Sequence, residues 1–181
     1  MRDSHNQFTP VTVGLHWIIA ITMIVMLVFG LYLENLPRSP EKGELIGIHK
    51  SIGALVLVLA LVRIYWRYLN KFPKPISDLP QWQEKLASIA HWFLILGTAF
   101  MPISGMMMSI GGGFGLSVFG LEIVARGGEK NELISEIGGA VHGLGGKLLI
   151  LFVLLHIAGA VKHQFMEKDG TISRMLGKRI S

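Results

Sequence analysis

The 181-residue sequence contains no cysteine and few charged residues. The absence of cysteine excludes disulfides, thiolate ligands, iron–sulfur clusters and covalent haem attachment, so a metal site must use histidine, carboxylate or methionine. Charged residues make up 16% of the chain and hydrophobic residues 51%, which is too apolar for a soluble domain of this length. The net charge of +5 is not arranged as a basic stripe interleaved with aromatics, so no nucleic acid partner is indicated. The composition predicts a polytopic protein with membrane lipid around it.

Four apolar segments are long enough to cross a bilayer, which takes about 20 residues of helix. They cover residues 10–33, 45–66, 86–109 and 137–161, and their charges are Lys50, Arg63 and Lys147. The first segment is too long for a signal-peptide core and has no obvious cleavage site, so we expect it to remain as a helix. The sequence therefore predicts an all-α fold, a membrane-spanning four-helix bundle formed by one domain over residues 1–181.

Lys and Arg are distributed unevenly between the two ends of this bundle. If the N-terminus is cytoplasmic, eleven of them lie on the cytoplasmic side and six on the outer side. This excess predicts that both termini are cytoplasmic. The connection at 66–85, which contains KFPKPISDLP, is then a cytoplasmic loop that cannot continue a helix. The loop at 110–136, which opens with IGGGFGLSVFGL, faces outward and either folds back onto the bilayer surface or a pocket, or is mobile.

The fourth segment and its flanks read AVHGLGGKLLILFVLLHIAGAVKH (140–163), an apolar run that carries three histidines. At 100° per residue, His142, His156 and His163 lie on one stripe of a helix, and the first two are about 21 Å apart along its axis. In the predicted topology, His49 lies at a depth similar to that of His142, near the outer face. His16 lies at a depth similar to that of His156, near the inner face.

Lone ionisable side chains are costly in a bilayer, so two pairs matched in depth predict two buried ligand sites. All 12 Asp and Glu residues lie outside the spans or at their ends, and the sites therefore lack the charge that a carboxylate-bound cation uses. Haem fits, because its iron takes one imidazole on each axial side and its macrocycle is apolar. Glycines, which also pack helices in membranes, occupy nearby positions: Gly14, Gly47, Gly53, Gly138, Gly139, Gly145, Gly146 and Gly159.

The choice of inner ligand depends on two histidines of similar depth. His91 lies on the inner side of the third segment and competes with His16. The repeated GLH and GIH around His16 and His49 favour His16. Two histidines on each iron leave no open coordination position, so the sequence predicts electron transfer between two haems.

Six motifs, spread over nearly the whole chain, are similar to those of a known family. They are GLHWI, GIHKSIG, MPISGMMM, VHGLGG, HIAGAVKHQF and DGTISRML. In order and spacing they resemble the bacterial cytochrome b561 family of four-helix, dihaem inner-membrane cytochromes. The resemblance implies two haem b groups, with iron held by His16 and His156 on the inner side and by His49 and His142 on the outer side. It also implies electron transfer involving ubiquinone, with periplasmic superoxide as the donor in a member of this type.

Several further residues are candidates for the donor and acceptor sites. Lys50 and Lys147 place cations beside the outer haem, where they attract an anionic donor or neutralise propionates, and we assign them to catalysis. At the inner end, the candidates for holding a quinone carbonyl or a propionate are His91, His163, Lys162 and Arg67. For any single cation of this set, the simpler interpretation is that its side chain reaches the lipid headgroups.

Two other functions remain open at this point. Similar four- or five-helix cytochromes serve as electron-transfer subunits that dock a dehydrogenase or hydrogenase, although no long partner-specific insertion is present here. A metal transporter lined with histidine is a possibility of a different class. The visible spectrum of the reduced protein distinguishes a b-type cytochrome from such a transporter.

Overall fold

The computed structural model describes residues 3–71, 76 and 80–180. Its long helices are α1 (Pro10–Asn35), α2 (Pro40–Asn70), α3 (Gln81–Gly111) and α4 (Glu132–Val161). Each is long and apolar enough to cross a membrane. The connection from α3 to α4 contains an antiparallel hairpin, β1 (Leu116–Val118) and β2 (Leu121–Val124), and α4 is followed by a π-helical turn (Lys162–Glu167) and by α5 (Thr171–Met175). The predicted all-α membrane bundle is confirmed.

The helices extend beyond the predicted apolar spans, and α2, α3 and α4 each begin five residues earlier. Hydropathy locates the part of a helix that lies in hydrocarbon, whereas the first residue is set by capping. The side chain of Ser39 accepts a hydrogen bond from Lys42 N ahead of α2, and that of Asn131 accepts one from Ile134 N ahead of α4. At its other end α2 continues to Asn70, four residues past the predicted boundary. Most of the predicted proline-rich loop, residues 72–75 and 77–79, lies outside the described residues.

Close contact between α3 and α4 forms one side of the bundle. A Cβ on Gly138 would lie 2.5 Å from Met108 N, and a Cβ on Gly97 would lie 2.7 Å from Leu149 Cδ2. These glycines therefore allow the two backbones to approach. Gly138, which the sequence analysis grouped with the possible neighbours of haem, belongs to this helix contact instead. Beside it the core cluster contains Ile19, Met23, Val56 and Leu149.

The first and last described segments of the chain lie at one end of the bundle, which we call the termini end. Ile180 N donates to Asn6 O, and the indole of Trp17 donates to Met175 O, so the segments before α1 and after α4 pack together. Arg174 strengthens this contact by donating to His5 O and by lying 4.4 Å from the ring centroid of Phe8.

The hairpin lies at the opposite end, the hairpin end. Of the two alternatives for the outer loop, the structure shows the loop folded back, with β1 against α2. Phe119 N donates to Ser51 Oγ at 2.9 Å, and Ser109 Oγ donates to Gly115 O at 2.6 Å. The side chain of Leu116 is buried beside α2.

Candidate functional site

The four histidines predicted as iron ligands form two facing pairs, one near each end of the bundle. The ring centroids of His16 and His156 are 6.3 Å apart, and those of His49 and His142 are 6.2 Å apart. Metal–imidazole bonds of about 2 Å on both sides of one ion place two ring centroids roughly 6 Å apart. The rings in both pairs are too far apart to stack, and their spacing suits a single metal ion between them.

The pair at the hairpin end borders a cavity of about 410 Å³. His49 and His142 line this cavity from α2 and α4, and much of the remaining wall is glycine and methionine. A Cβ added to Gly53 or Gly143 would meet nothing within 4 Å, so the glycines leave open space beside the rings. The cavity is apolar apart from its mouth and falls within the size range of small-molecule sites. It can accept a flat, apolar group.

The Nδ1 atoms of His142 and His49 have different environments. His142 Nδ1 lies 2.9 Å from Met101 O and 3.2 Å from Ser104 Oγ, contacts that hold the ring orientation and leave Nε2 free to bind a metal. His49 Nδ1 is buried and has no hydrogen-bond partner among the described residues. A buried ring nitrogen without a partner is costly and typical of a site that a ligand completes.

The termini-end pair has a third histidine beside it. The ring centroid of His91 is 5.3 Å from that of His156, so it lies closer to His156 than the ring of His16 does. The rings of His91 and His156 meet edge to face. His91 is also exposed on the surface of α3, whereas His16 and His156 are partly buried between helices. His91 is therefore accessible from the surroundings of the bundle and adjoins the pair.

Arg63 is a candidate site residue that sequence reasoning missed, because it was counted only as a cation at the cytoplasmic end of the second span. It lies within α2, partly buried, and its Nη2 is 3.1 Å from His16 Nδ1. A guanidinium only donates, and a neutral imidazole that binds a metal through Nε2 carries its proton on Nδ1. Metal binding by His16 would therefore release Arg63 to another acceptor, and no described carboxylate forms an ion pair with it.

Three further residues of the inner set already have partners. Arg67 Nη2 donates to Asp3 Oδ2 at 2.9 Å and to Thr12 Oγ1 at 2.8 Å. His163 Nδ1 lies 2.6 Å from a Glu167 oxygen and 2.9 Å from Asp169 Oδ2, and Lys162 donates to the other Glu167 oxygen. Arg67, His163 and Lys162 are therefore engaged by side chains other than the ring of His156.

The two lysines predicted beside the outer pair both line the cavity of His49 and His142. Lys50 Nζ donates to Gly115 O at 3.4 Å. Lys147 lies 3.9 Å from a carboxylate oxygen of Glu34, an acidic neighbour that the sequence analysis did not foresee. The cavity mouth therefore carries an excess of positive charge that includes Lys42.

Haem fits the arrangement of the described residues at the two histidine pairs. The donor set consists of neutral imidazoles without a carboxylate, the ring spacing is that of a bis-histidine site, and an apolar cavity with an unpaired ring nitrogen adjoins one pair. Cations near both pairs, Arg63 at one and Lys50 at the other, are suited to the propionates of haem.

Comparison with known proteins agrees with this chemistry. The family model described as prokaryotic cytochrome b561 matches residues 7–178. The chain is 29% identical to cytochrome b561 homolog 2 of Escherichia coli, over 99% of this chain and 96% of that protein. It is 26% identical to the probable superoxide oxidase CybB of Yersinia pestis (97% and 98%), and 23% identical to a probable Ni/Fe-hydrogenase B-type cytochrome subunit of Azotobacter vinelandii (90% and 82%).

These matches agree with the resemblance inferred from the motifs and favour a redox protein over a histidine-lined transporter. The four apolar helices and the family together place the protein in the bacterial inner membrane as a multi-pass protein. With its paired histidines and a match over most of its length, the chain belongs to the prokaryotic cytochrome b561 family of b-type haem electron-transfer proteins.

Proposed function

We propose that the protein carries two b-type haems, one at each histidine pair, and conducts electrons across the membrane. The observation that supports this best is the matched spacing of 6.3 Å and 6.2 Å between the paired rings. His16 and His156 hold iron at the termini end, and His49 and His142 hold it at the hairpin end. Each bound haem supplies one-electron transfer without an open coordination position.

The termini end faces the cytoplasm in this proposal and the hairpin end faces the periplasm. The support is the excess of Lys and Arg on the side of the termini. The 14-residue step from His142 to His156 then carries the redox path through about 21 Å of membrane.

Superoxide is the proposed electron donor at the hairpin end. The cavity mouth, where Lys42, Lys50 and Lys147 outnumber Glu34, attracts an anion. One relative bears the name probable superoxide oxidase, although at 26% identity. In the overall reaction, two superoxide anions lose one electron each and become dioxygen, and one ubiquinone takes up both electrons and two protons to become ubiquinol. We propose that Lys50 and Lys147 guide superoxide to the site.

Ubiquinone is the proposed acceptor at the termini end. A groove of about 330 Å³ between α2 and α3 is lined by Ile64, Arg67, Tyr68, Lys71, Trp92 and Ile95. Aromatic and aliphatic walls suit a quinone ring, and His91, next to Trp92, can donate a hydrogen bond to a quinone carbonyl. Arg67 forms part of this wall while its Nη2 holds Asp3. His163, seven residues after His156, is bound to Glu167 and Asp169, so we give it a supporting role.

The purified, haem-loaded protein tests this function directly. We expect ubiquinol to form when superoxide is generated enzymatically in the presence of ubiquinone, and superoxide dismutase to abolish its formation. Normal haem content without superoxide-dependent ubiquinol would reject the proposed donor and leave the haem assignment standing.

A second function is favoured by the similarity to the probable hydrogenase cytochrome subunit. In that case the haems exchange electrons with a partner dehydrogenase or hydrogenase. Native membranes distinguish the two possibilities. If the haems serve a partner dehydrogenase or hydrogenase, the substrate of that enzyme, such as hydrogen, reduces the haems only when the partner is present.

A further inference from the structure

The hairpin carries large apolar side chains on its surface. Phe119 is 65% exposed and Leu121 is 67% exposed, and Phe114 and Ile123 are also more than half exposed. Such a cluster on so short a segment indicates a binding surface. The question is whether water, protein or lipid surrounds it.

The depth of the hairpin tip is fixed by its hydrogen bond to α2. Ser51, which accepts from Phe119 N, lies two residues further into α2 than His49, or about 3 Å closer to the termini end. Ser51 is also six residues inside the apolar span that begins at Leu45, which corresponds to about 9 Å. If that span is the part of α2 that lies in hydrocarbon, the tip lies at the same level. Ile48 and Leu55, three residues before and four residues after Ser51, are exposed on the same side of α2.

The turn at the hairpin tip has a phenylalanine, Phe119, at a position with positive φ. Both central residues have positive φ, 48° at Phe119 and 84° at Gly120, as in the two-residue hairpin turns that favour Asn–Gly. A bulky side chain at positive φ costs conformational energy, and an exposed phenylalanine recovers none of it in water. Among acyl chains the same ring is favourably buried.

Three contacts satisfy polar groups of the tip, where an unpaired group would be costly in a low-dielectric environment. Phe119 N is bound by Ser51, Ser117 Oγ donates to Leu121 O at 3.3 Å, and Val118 pairs with Leu121 across the strands. The base of the hairpin stays at the end of α3, where Gly127 N donates to Gly113 O. Arg126, at this base, is exposed and is placed to reach headgroups.

We propose that the β1–β2 hairpin is a membrane anchor that folds back into the phospholipid leaflet at the hairpin end, with Phe119 and Leu121 among the acyl chains and Arg126 at the headgroups. Because Leu116 of the same hairpin lines the cavity of His49, the lipid holds one wall of that cavity in place. The anchor does not depend on the identity of the electron donor or acceptor.

The absence of cysteine makes single-cysteine spin labelling a clean test. The haem-loaded protein is labelled as Phe119→Cys or Leu121→Cys in vesicles of phosphatidylethanolamine and phosphatidylglycerol, and collision of the label with oxygen and with a water-soluble nickel chelate is measured by EPR. Glu122→Cys is the matched control, because alternate residues of a strand point to opposite faces. Arg126→Cys reports on the base.

We expect the labels at 119 and 121 to collide more with oxygen than with nickel, and the labels at 122 and 126 to show the reverse. Strong nickel collision at both 119 and 121 would place the tip in water and overturn the proposal. Weak collision with both reagents would show a protein contact, such as a second copy of the chain, and would overturn it as well. The Leu121→Cys variant leaves the strained turn residue intact, and an unchanged visible spectrum verifies that each variant is folded.

Discussion

The Nζ atom of Lys147 lies 3.9 Å from a carboxylate oxygen of Glu34, whereas no described carboxylate pairs with Lys50. Both partners of the first pair are more than half exposed, at 64% and 61%, so the contact contributes little to stability. It nevertheless offsets the charge that Lys147 presents at the cavity mouth. Two lysines that were both predicted beside the outer histidine pair therefore differ in effective charge.

From this difference we expect Lys50→Gln to slow superoxide oxidation more than Lys147→Gln does. At low ionic strength the loss for Lys50→Gln is expected to be about two- to tenfold, and the dependence of the rate on salt weakens because the steering field is smaller. Glu34→Gln should raise the rate. Stopped-flow kinetics across a salt series measure these effects, with Lys178→Gln at the termini end as a matched control. A rate of the unmutated protein that does not change with salt would contradict an anionic donor.

The haem content of ligand variants tests the two pairs. We expect the intact chain to bind two haems, and His49→Ala or His142→Ala to lose mainly the haem at the hairpin end. His16→Ala or His156→Ala should lose mainly the other, because each iron loses an axial ligand. Pyridine haemochrome titration gives the number per chain. One haem in the intact protein would refute the paired assignment.

His91 is expected to support the termini-end site without binding iron. His91 adjoins His156 and is an exposed residue of α3, so His91→Ala should retain two low-spin haems and change the midpoint potential or the affinity for quinone. The EPR spectrum distinguishes the alternatives. A high-spin signal in this variant would mean that His91 is a ligand and that His16 was wrongly assigned.

Arg63 is expected to raise the midpoint potential of the termini-end haem. A cation stabilises the reduced, less positive form, and one unit charge about 10 Å away in a medium of effective dielectric constant about 20 contributes roughly 1–2 kcal/mol, or about 40–90 mV. Arg63→Gln should therefore lower that potential by about this amount, and Arg63→Lys should restore most of it. Spectroelectrochemical titration resolves the two haems. An equal shift at both haems would indicate a general structural effect instead.

The N-terminal segment should loosen at acidic pH. Burial raises the pKa of the Asp3 carboxyl, but hydrogen bonds from Thr9 and Thr12 and the charge of Arg67 outweigh it and bring the pKa below the ordinary 3.8. Because the folded-state pKa is the lower one, the stabilisation is complete above pH 3.8 and is lost as the pH falls through the folded value. Hydrogen-exchange protection of residues 4–12 should decline over that range.

Asp3→Asn is the control for this pH dependence. It removes the titrating group, so protection of residues 4–12 should be lower at neutral pH and should no longer change with acidification. A decline in Asp3→Asn that equals the decline in the unmutated chain would assign the effect to another group.

Much of the architecture was predictable because hydropathy and charge act locally along the chain. Uncharged runs of about 20 residues determine where helices can cross a bilayer, and a 14-residue spacing determines that His142 and His156 share a helix face. Helix ends were less predictable, since they depend on capping by residues such as Ser39 and Asn131 outside the apolar runs. The hairpin was missed as a regular element because its strands have only three and four residues.

The sequence by itself determined the number of apolar spans, the chemistry of the donors and the position of each histidine along its span, because these follow from residue type and order along the chain. Only the tertiary structure decided which residues face one another. It placed Arg63 beside His16, Glu34 beside Lys147, and Asp3 on Arg67, although the members of each pair are far apart in the chain. Such contacts depend on which helices are neighbours and how they are rotated, and in a bilayer this is set by side-chain packing that no single segment contains.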